Sequence, residues 1–221
     1  MPRELKADKI ARAIEVEKRM QQHYGPGKAS LDYDGDPFRL LVAVVLSAQC
    51  TDAAVNKVTP ALFKAYPTPA ALAQARVADV EEIIHSLGFF RSKARNLVAL
   101  SQMLVADYGG QVPEDMDQLQ RLPGVGRKTA NVVMCEAFKN AQGIAVDTHV
   151  FRIAHRLKFA GPSADTPDKT ERALLAVFPR EDWLYVNHQW VHFGRDFCRA
   201  QRPLCSECFI RDLCPSNSYT A

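Results

Sequence analysis

Leu122-Pro123-Gly124-Val125-Gly126-Arg127-Lys128-Thr129-Ala130 joins an apolar-periodic stretch, Met116 to Leu122, to a helical run, Lys128 to Phe138. Pro-Gly-x-Gly is a tight connection between two helices, and both Gly124 and Gly126 are expected to take positive φ, which glycine does without a Cβ clash. The first N–H groups of the second helix then lack intrahelical partners and carry the positive end of its dipole, so the hairpin suits a phosphate. Such a grip reads no base sequence. Lys128 opens the second helix, where the dipole, Arg127 and partial desolvation all favour a neutral amine. A neutral lysine amine forms a Schiff base with a sugar carbon, whereas an ammonium is one more phosphate contact. The residue alone leaves both roles open.

The chain has 221 residues, 47% of them hydrophobic, enough for one large or two modest lobes with a real core, and it is not disordered. A net charge of +3 and a pI near 8.5 mean that any affinity for nucleic acid comes from local clusters of cations. The longest apolar run, Leu40 to Leu46, is too short to cross a bilayer, and Met1 to Met20 lacks the apolar centre of a signal peptide. A soluble intracellular protein without membrane partners is expected.

Apolar residues at 10, 13, 16, 20 and 24 mark an amphipathic helix closed by Gly25-Pro26-Gly27. Asp36-Pro37 supplies an N-cap and an N1 proline for a helix through Leu46 that is apolar on all sides and so belongs at the centre of a fold. The polar stretch Ser47-Ala48-Gln49-Cys50-Thr51-Asp52 follows it, where Gln49 can meet an exposed base edge or cap a helix end. Thr51, Thr59-Pro60 and Thr68-Pro69 read as cap signals that divide the next stretch into short helices.

Val80 to Leu87 reads as a helix ending at Gly88, and Ser92 as the start of another that stops at Gly109-Gly110. Between them, Phe89 and Phe90 stand beside Arg91 and Lys93; such aromatics fill a core or wedge between unstacked bases, and at most one of the pair should be exposed. Asp147 is the expected N-cap of a helix after Gly143 to Val146. Thr166-Pro167 opens another helix, and Trp183 to Phe193 forms one more, stopping at Gly194. No segment reads as a strand, and there is no internal repeat.

Cys198, Cys205, Cys208 and Cys214 form a C-x6-C-x2-C-x5-C set within seventeen residues. In a reducing compartment four thiolates so close favour metal ligation over disulfides, although the spacing does not name the metal. The loop inside the first pair carries Arg199 and Arg202, which ligands at both ends would hold towards a phosphate backbone.

Leu46 to Gln49 with Thr51-Asp52, Leu122 to Ala130, Val146-Asp147-Thr148-His149 and the four cysteines together resemble the endonuclease III family of helix-hairpin-helix DNA glycosylases over nearly the whole chain. The resemblance implies an all-α protein of two lobes. One would be a six-helix barrel with the hairpin over residues 30–140. The other, residues 1–29 plus 141–221, would hold a [4Fe–4S] cluster on Cys198, Cys205, Cys208 and Cys214, with a DNA cleft between the lobes. Lys128 aligns with the family nucleophile and Asp147 with its assisting carboxylate. Gln49 aligns with the residue that fills the gap of a flipped nucleotide, Phe89 with a wedge on the opposite side, and Leu122, Gly124, Gly126, Arg127, Thr129 and His149 with DNA-binding positions. The chain departs from the family pattern in Phe89-Phe90, where leucine-tyrosine is common, in Cys50, where a small residue is usual, and in Gln120, often acidic.

The implied activity is base excision repair of double-stranded DNA by a monomeric, cytoplasmic, nucleoid-associated enzyme. An oxidised pyrimidine is flipped out, its departure assisted by Asp147; Lys128 attacks C1′, and β-elimination cuts the strand at the abasic site. Adenine-mismatch glycosylases share much of this pattern but generally lack the lysine and carry a further C-terminal domain. Lys128 and an end at residue 221 argue against them, and the lysine also argues against thymine-mismatch glycosylases. A non-catalytic DNA-binding module would need neither Lys128 nor Asp147.

Overall fold

The computed structural model describes residues 4–26 and 30–217. Gly27, expected to help close the first helix, and residue 29, the expected end of the first segment, lie outside the described residues. Among those described there are helices and no strands, and no helix is long and apolar enough to cross a membrane. The chain forms two compact units, Met1–Lys28 with Ala141–Ala221, and Ala29–Asn140.

The unit of residues 29–140 is built around α2 (Pro37–Ser47). Asp36 caps it through the Phe38 N–H at 2.8 Å, with Pro37 in the first turn. Every residue from Leu40 to Leu46 is buried, so the apolar surface on all sides of the helix is used. α2 packs on α3 (Asp52–Ala65), α6 (Phe90–Tyr108) and α8 (Arg127–Phe138). Two short helices, α4 (Pro69–Ala73) and α5 (Val77–Ile84), lie on α6, and α7 (Met116–Arg121) pairs with α8. Thr51, Thr68 and Asp115 cap α3, α4 and α7 with their side chains.

Several expected boundaries shift. Thr59-Pro60 starts no helix but lies inside α3. An interior proline costs about 3 kcal/mol, and burial of Val55 and Val58 before it and Leu62 and Phe63 after it offsets that cost. α5 begins three residues before Val80: the Arg76 guanidinium bonds the Asp79 carboxylate at 2.9 Å across its first turn, a start that no Ser, Thr or Asp cap announces. α6 starts at Phe90, before Ser92, whose hydroxyl donates back to the Phe89 carbonyl at 3.0 Å.

The other unit contains α1 (Lys6–Tyr24), α9 (Thr148–Arg156), α10 (Pro167–Leu175) and α11 (Trp183–Asp196). α11 packs on both α1 and α9, with Trp190 and Phe193 buried beside Phe159 and Phe178. Gly194, expected to stop the helix, is inside it. Its role is close approach: a Cβ there would overlap His149 Nδ1 and stand 2.8 Å from an Arg152 guanidinium nitrogen. Gly194→Ala therefore forces both α9 side chains aside, and we expect a loss of about 1–3 kcal/mol. Thermal denaturation checks this against Gly161→Ala, whose Cβ would meet nothing within 4 Å and which should retain the parent midpoint.

Candidate functional site

In the hairpin, the Val125 N–H donates to the Leu122 carbonyl at 3.0 Å, closing a turn with Pro123 and Gly124 at its centre. Gly124 has φ +81°, as expected, and a Cβ there would press on the Asn96 side chain at 2.9 Å. Gly126 departs from expectation: its φ is −90° in extended backbone, which any residue adopts. A Cβ at Gly126 would meet nothing within 4 Å, so glycine there keeps the helix mouth clear instead of relieving strain. Leu122 and Val125 are buried and anchor the turn. No side chain caps α8, and its first-turn residues Arg127 and Lys128 are exposed, with Thr129 half-buried. The partial desolvation expected at Lys128 is thus not present, because its side chain extends from the rim of a turn whose anchors alone are buried.

Gln49 and Phe89 come from loops on different sides of the sequence, and the structure brings those loops into contact. A Cβ on Gly88 would lie 3.8 Å from Cys50 Sγ and 3.9 Å from the Gln49 carbonyl oxygen. Both residues have left-handed backbone, φ +55° at Gln49 and +57° at Phe89. Both are also exposed, Phe89 at 65%, while Phe90 packs on the core and under Arg91. Exposure of one aromatic of the pair is as expected. Gln120 turns inward along its own helix, its amide donating to the Met116 carbonyl at 3.1 Å.

In the other unit Asp147 caps α9, one carboxylate oxygen accepting from the His149 and Val150 N–H groups at 2.8 Å each. The cap uses only that oxygen and leaves the carboxylate half-buried. Burial, with Arg152 and Arg195 nearby, holds the His149 imidazole below its ordinary pKa against the opposing pull of Asp147. His149, Arg152 and Arg156 form one stripe of α9 at helical spacing. Arg152 bonds His149 Nδ1 at 3.1 Å, the Gly194 carbonyl at 3.1 Å and the Cys198 carbonyl at 3.0 Å. Arg156 donates to Cys198 Sγ at 3.3 Å, the Arg199 carbonyl at 2.6 Å and the Ala200 carbonyl at 3.0 Å. These two arginines hold the cysteine loop, a role that sequence reasoning missed although their spacing from His149 was visible. Arg199 and Arg202 on that loop are exposed, and Arg199 returns one bond to the Arg195 carbonyl.

Cys198, Cys205, Cys208 and Cys214 all line one cavity of about 200 Å³, closed below by Phe193, Phe197 and Ile210. None of the four is in a disulfide. Four sulfurs lining one hollow suit a polynuclear cluster. Burial and the neighbouring thiols push Cys208 up to about 11 and raise Cys214, so their thiolates need cationic compensation inside the cavity. Arg12 and Arg19 of α1 tie the segment from outside, donating to the Leu213 and Phe209 carbonyls at 3.3 and 3.1 Å.

Residues 42–180 match the family described as HhH-GPD superfamily base excision DNA repair protein. Residues 198–214 match the iron-sulfur binding domain of endonuclease III, and the cofactor of this segment is a [4Fe–4S] cluster. The Endonuclease III of Synechocystis sp. is 46% identical over 210 residues, 95% of this chain and 94% of its own. That of Escherichia coli is 41% identical over 204 residues, 92% and 95% of the two chains. An endonuclease III solved as a trapped covalent intermediate with DNA matches with a TM-score of 0.86 at 43% identity, covering 94% of this chain and 96% of that one. A thermostable thymine-DNA glycosylase shares the fold with a TM-score of 0.80 at 23% identity, covering 94% and 97%. This chain belongs to the HhH-GPD superfamily of base excision DNA repair proteins.

Proposed function

We propose that this protein is a monomeric DNA glycosylase and abasic-site lyase that removes oxidised pyrimidines from duplex DNA. The observation that carries the reading is the exposed Lys128 in the first turn of a helix that no side chain caps. Backbone N–H groups of that turn bind a phosphate of the damaged strand, assisted by Arg127 and Thr129, and the clear space at Gly126 lets the strand approach. Arg199 and Arg202 add phosphate contacts from the other unit. Gln49 fills the gap left by the extruded nucleotide and Phe89 stacks against the opposite strand, both presented by strained backbone on a rigid base.

The glycosidic bond breaks as the base leaves with its electron pair, and positive charge grows on the sugar. Asp147, fixed by its two backbone bonds, supplies the carboxylate that stabilises that charge, and the departing base takes up a proton as the Lys128 ammonium gives one up. The freed amine attacks C1′ and, on ring opening, gives a Schiff base. Loss of a proton from C2′ then expels the 3′ phosphate oxygen, cutting the strand by β-elimination.

Cys198, Cys205, Cys208 and Cys214 would hold the [4Fe–4S] cluster, which would supply a four-point cross-link of the C-terminal segment. Arg152 and Arg156 then orient the first ligand and its loop, so that Arg199 and Arg202 meet DNA from a fixed base.

Borohydride should trap a covalent adduct with abasic-site duplex, and Lys128→Gln should abolish it while retaining duplex binding. An adduct at parent yield in that variant would place the nucleophile elsewhere. Asp147→Asn should slow excision of thymine glycol by about 10²–10⁴-fold and cleavage of a pre-formed abasic site by much less, measured in single-turnover assays on the two substrates. Iron and acid-labile sulfide should each be present at about four per chain, with both lost in Cys205→Ala; two irons per chain or zinc alone would overturn the ligand assignment.

A further inference from the structure

Cys50 takes no part in the cysteine set near the C-terminus, and its surroundings differ from those of the remaining thiol. The Lys93 side chain, only 4% exposed, enters from α6 and its ammonium donates to Cys50 Sγ at 3.0 Å. A buried ammonium is costly without a polar partner, and here the Cys50 sulfur is that partner. An adjacent lysine is also what makes a thiol nucleophilic. Cys135 offers the contrast: burial and the neighbouring Glu136 push its thiol up to about 12, which keeps it protonated and inert.

Position gives the pair a consequence. Cys50 follows Gln49 directly, and its sulfur faces the Gly88 backbone at the root of the Phe89 loop. The Lys93 N–H in turn donates to the Phe89 carbonyl at 3.1 Å. The Lys93–Cys50 contact is thus the pin between the loops that carry Gln49 and Phe89.

We propose that Cys50 is a reactive thiol, activated by Lys93, whose modification unpins the Gln49 and Phe89 loops and weakens the hold on DNA. With hydrogen peroxide the step is a two-electron oxidation: the sulfur attacks one peroxide oxygen, the O–O bond breaks, an S–O bond forms, and hydroxide leaves. The resulting sulfenic acid adds an oxygen to the sulfur that meets the Lys93 ammonium, so the contact at 3.0 Å has to rearrange. The effect on DNA rests on the function proposed above; the reactivity of the thiol does not.

Full-length protein with its cluster loaded is treated with iodoacetamide at pH 7, and each cysteine is followed by peptide mass spectrometry. Cys50 should be alkylated at least about tenfold faster than Cys135, a ratio equal to one unit of thiol acidity, and Lys93→Met should remove that advantage. Equal rates at Cys50 and Cys135 would overturn the proposal, and this comparison decides it even if Lys93→Met fails to fold. Peroxide-treated protein, with cluster absorbance shown to be intact, should bind abasic duplex about fivefold more weakly than untreated protein, roughly 1 kcal/mol. In Cys50→Ser the ratio of treated to untreated binding should stay at one. Unchanged binding by a fully modified Cys50 would refute the unpinning, whereas failure of the untreated protein to bind duplex would refute the proposed function and leave the thiol reactivity standing.

Discussion

Helix α8 begins with bare backbone. Asp36, Thr51, Thr68, Asp115, Asp147 and Thr166 each turn a side-chain oxygen onto a helix start, whereas α8, like α1, α5, α6 and α11, has no side-chain cap, and it has a glycine at that position. A missing cap costs about 0.5–2 kcal/mol, and what holds the turn is burial of Leu122 and Val125 with Gly124 pressed against Asn96. The lost cap is what makes the helix end available to an anion. Stability is supplied from beneath, and the helix start itself is left without a side-chain cap.

The same division of labour recurs around the cysteines. Their loop carries exposed arginines, while the bonds that hold it come from buried or half-buried partners: Arg152 and Arg156 of α9, and Arg12 and Arg19 of α1. Gly194 lets α9 approach α11 closely enough for Arg152 to reach both the Gly194 and Cys198 carbonyls. His149, next to the Asp147 cap, is part of that stripe. The carboxylate and the cysteine segment are therefore both attached to α9.

Where the sequence misled, one local rule had met a stronger tertiary one. Thr59-Pro60 has the form of a helix start, yet the apolar stripe continues through it and packing overrides the proline. Gly194 has the form of a helix stop, yet it is a contact surface. Gly126 was expected to bend the chain and instead leaves space. Lys93, which reads as one of two loop cations, is buried on a sulfur forty-three positions away. The contacts of Gly194 and Lys93 lie far away in sequence, so no periodicity or cap signal could report them.

The sequence alone determined the helical character, the central place of α2, the caps at Asp36, Thr51, Thr68, Asp147 and Thr166, and the Gly124 turn with Lys128 beyond it. Each of these depends on residues within a few positions of one another, where hydrogen-bond geometry and apolar spacing leave little choice. Only the tertiary structure decided that the four cysteines surround one hollow, that two arginines of α9 hold their loop, and that the Gln49 and Phe89 loops are joined through Cys50 and Lys93. Those features arise where distant segments pack, and dense packing selects among partners that no local pattern distinguishes.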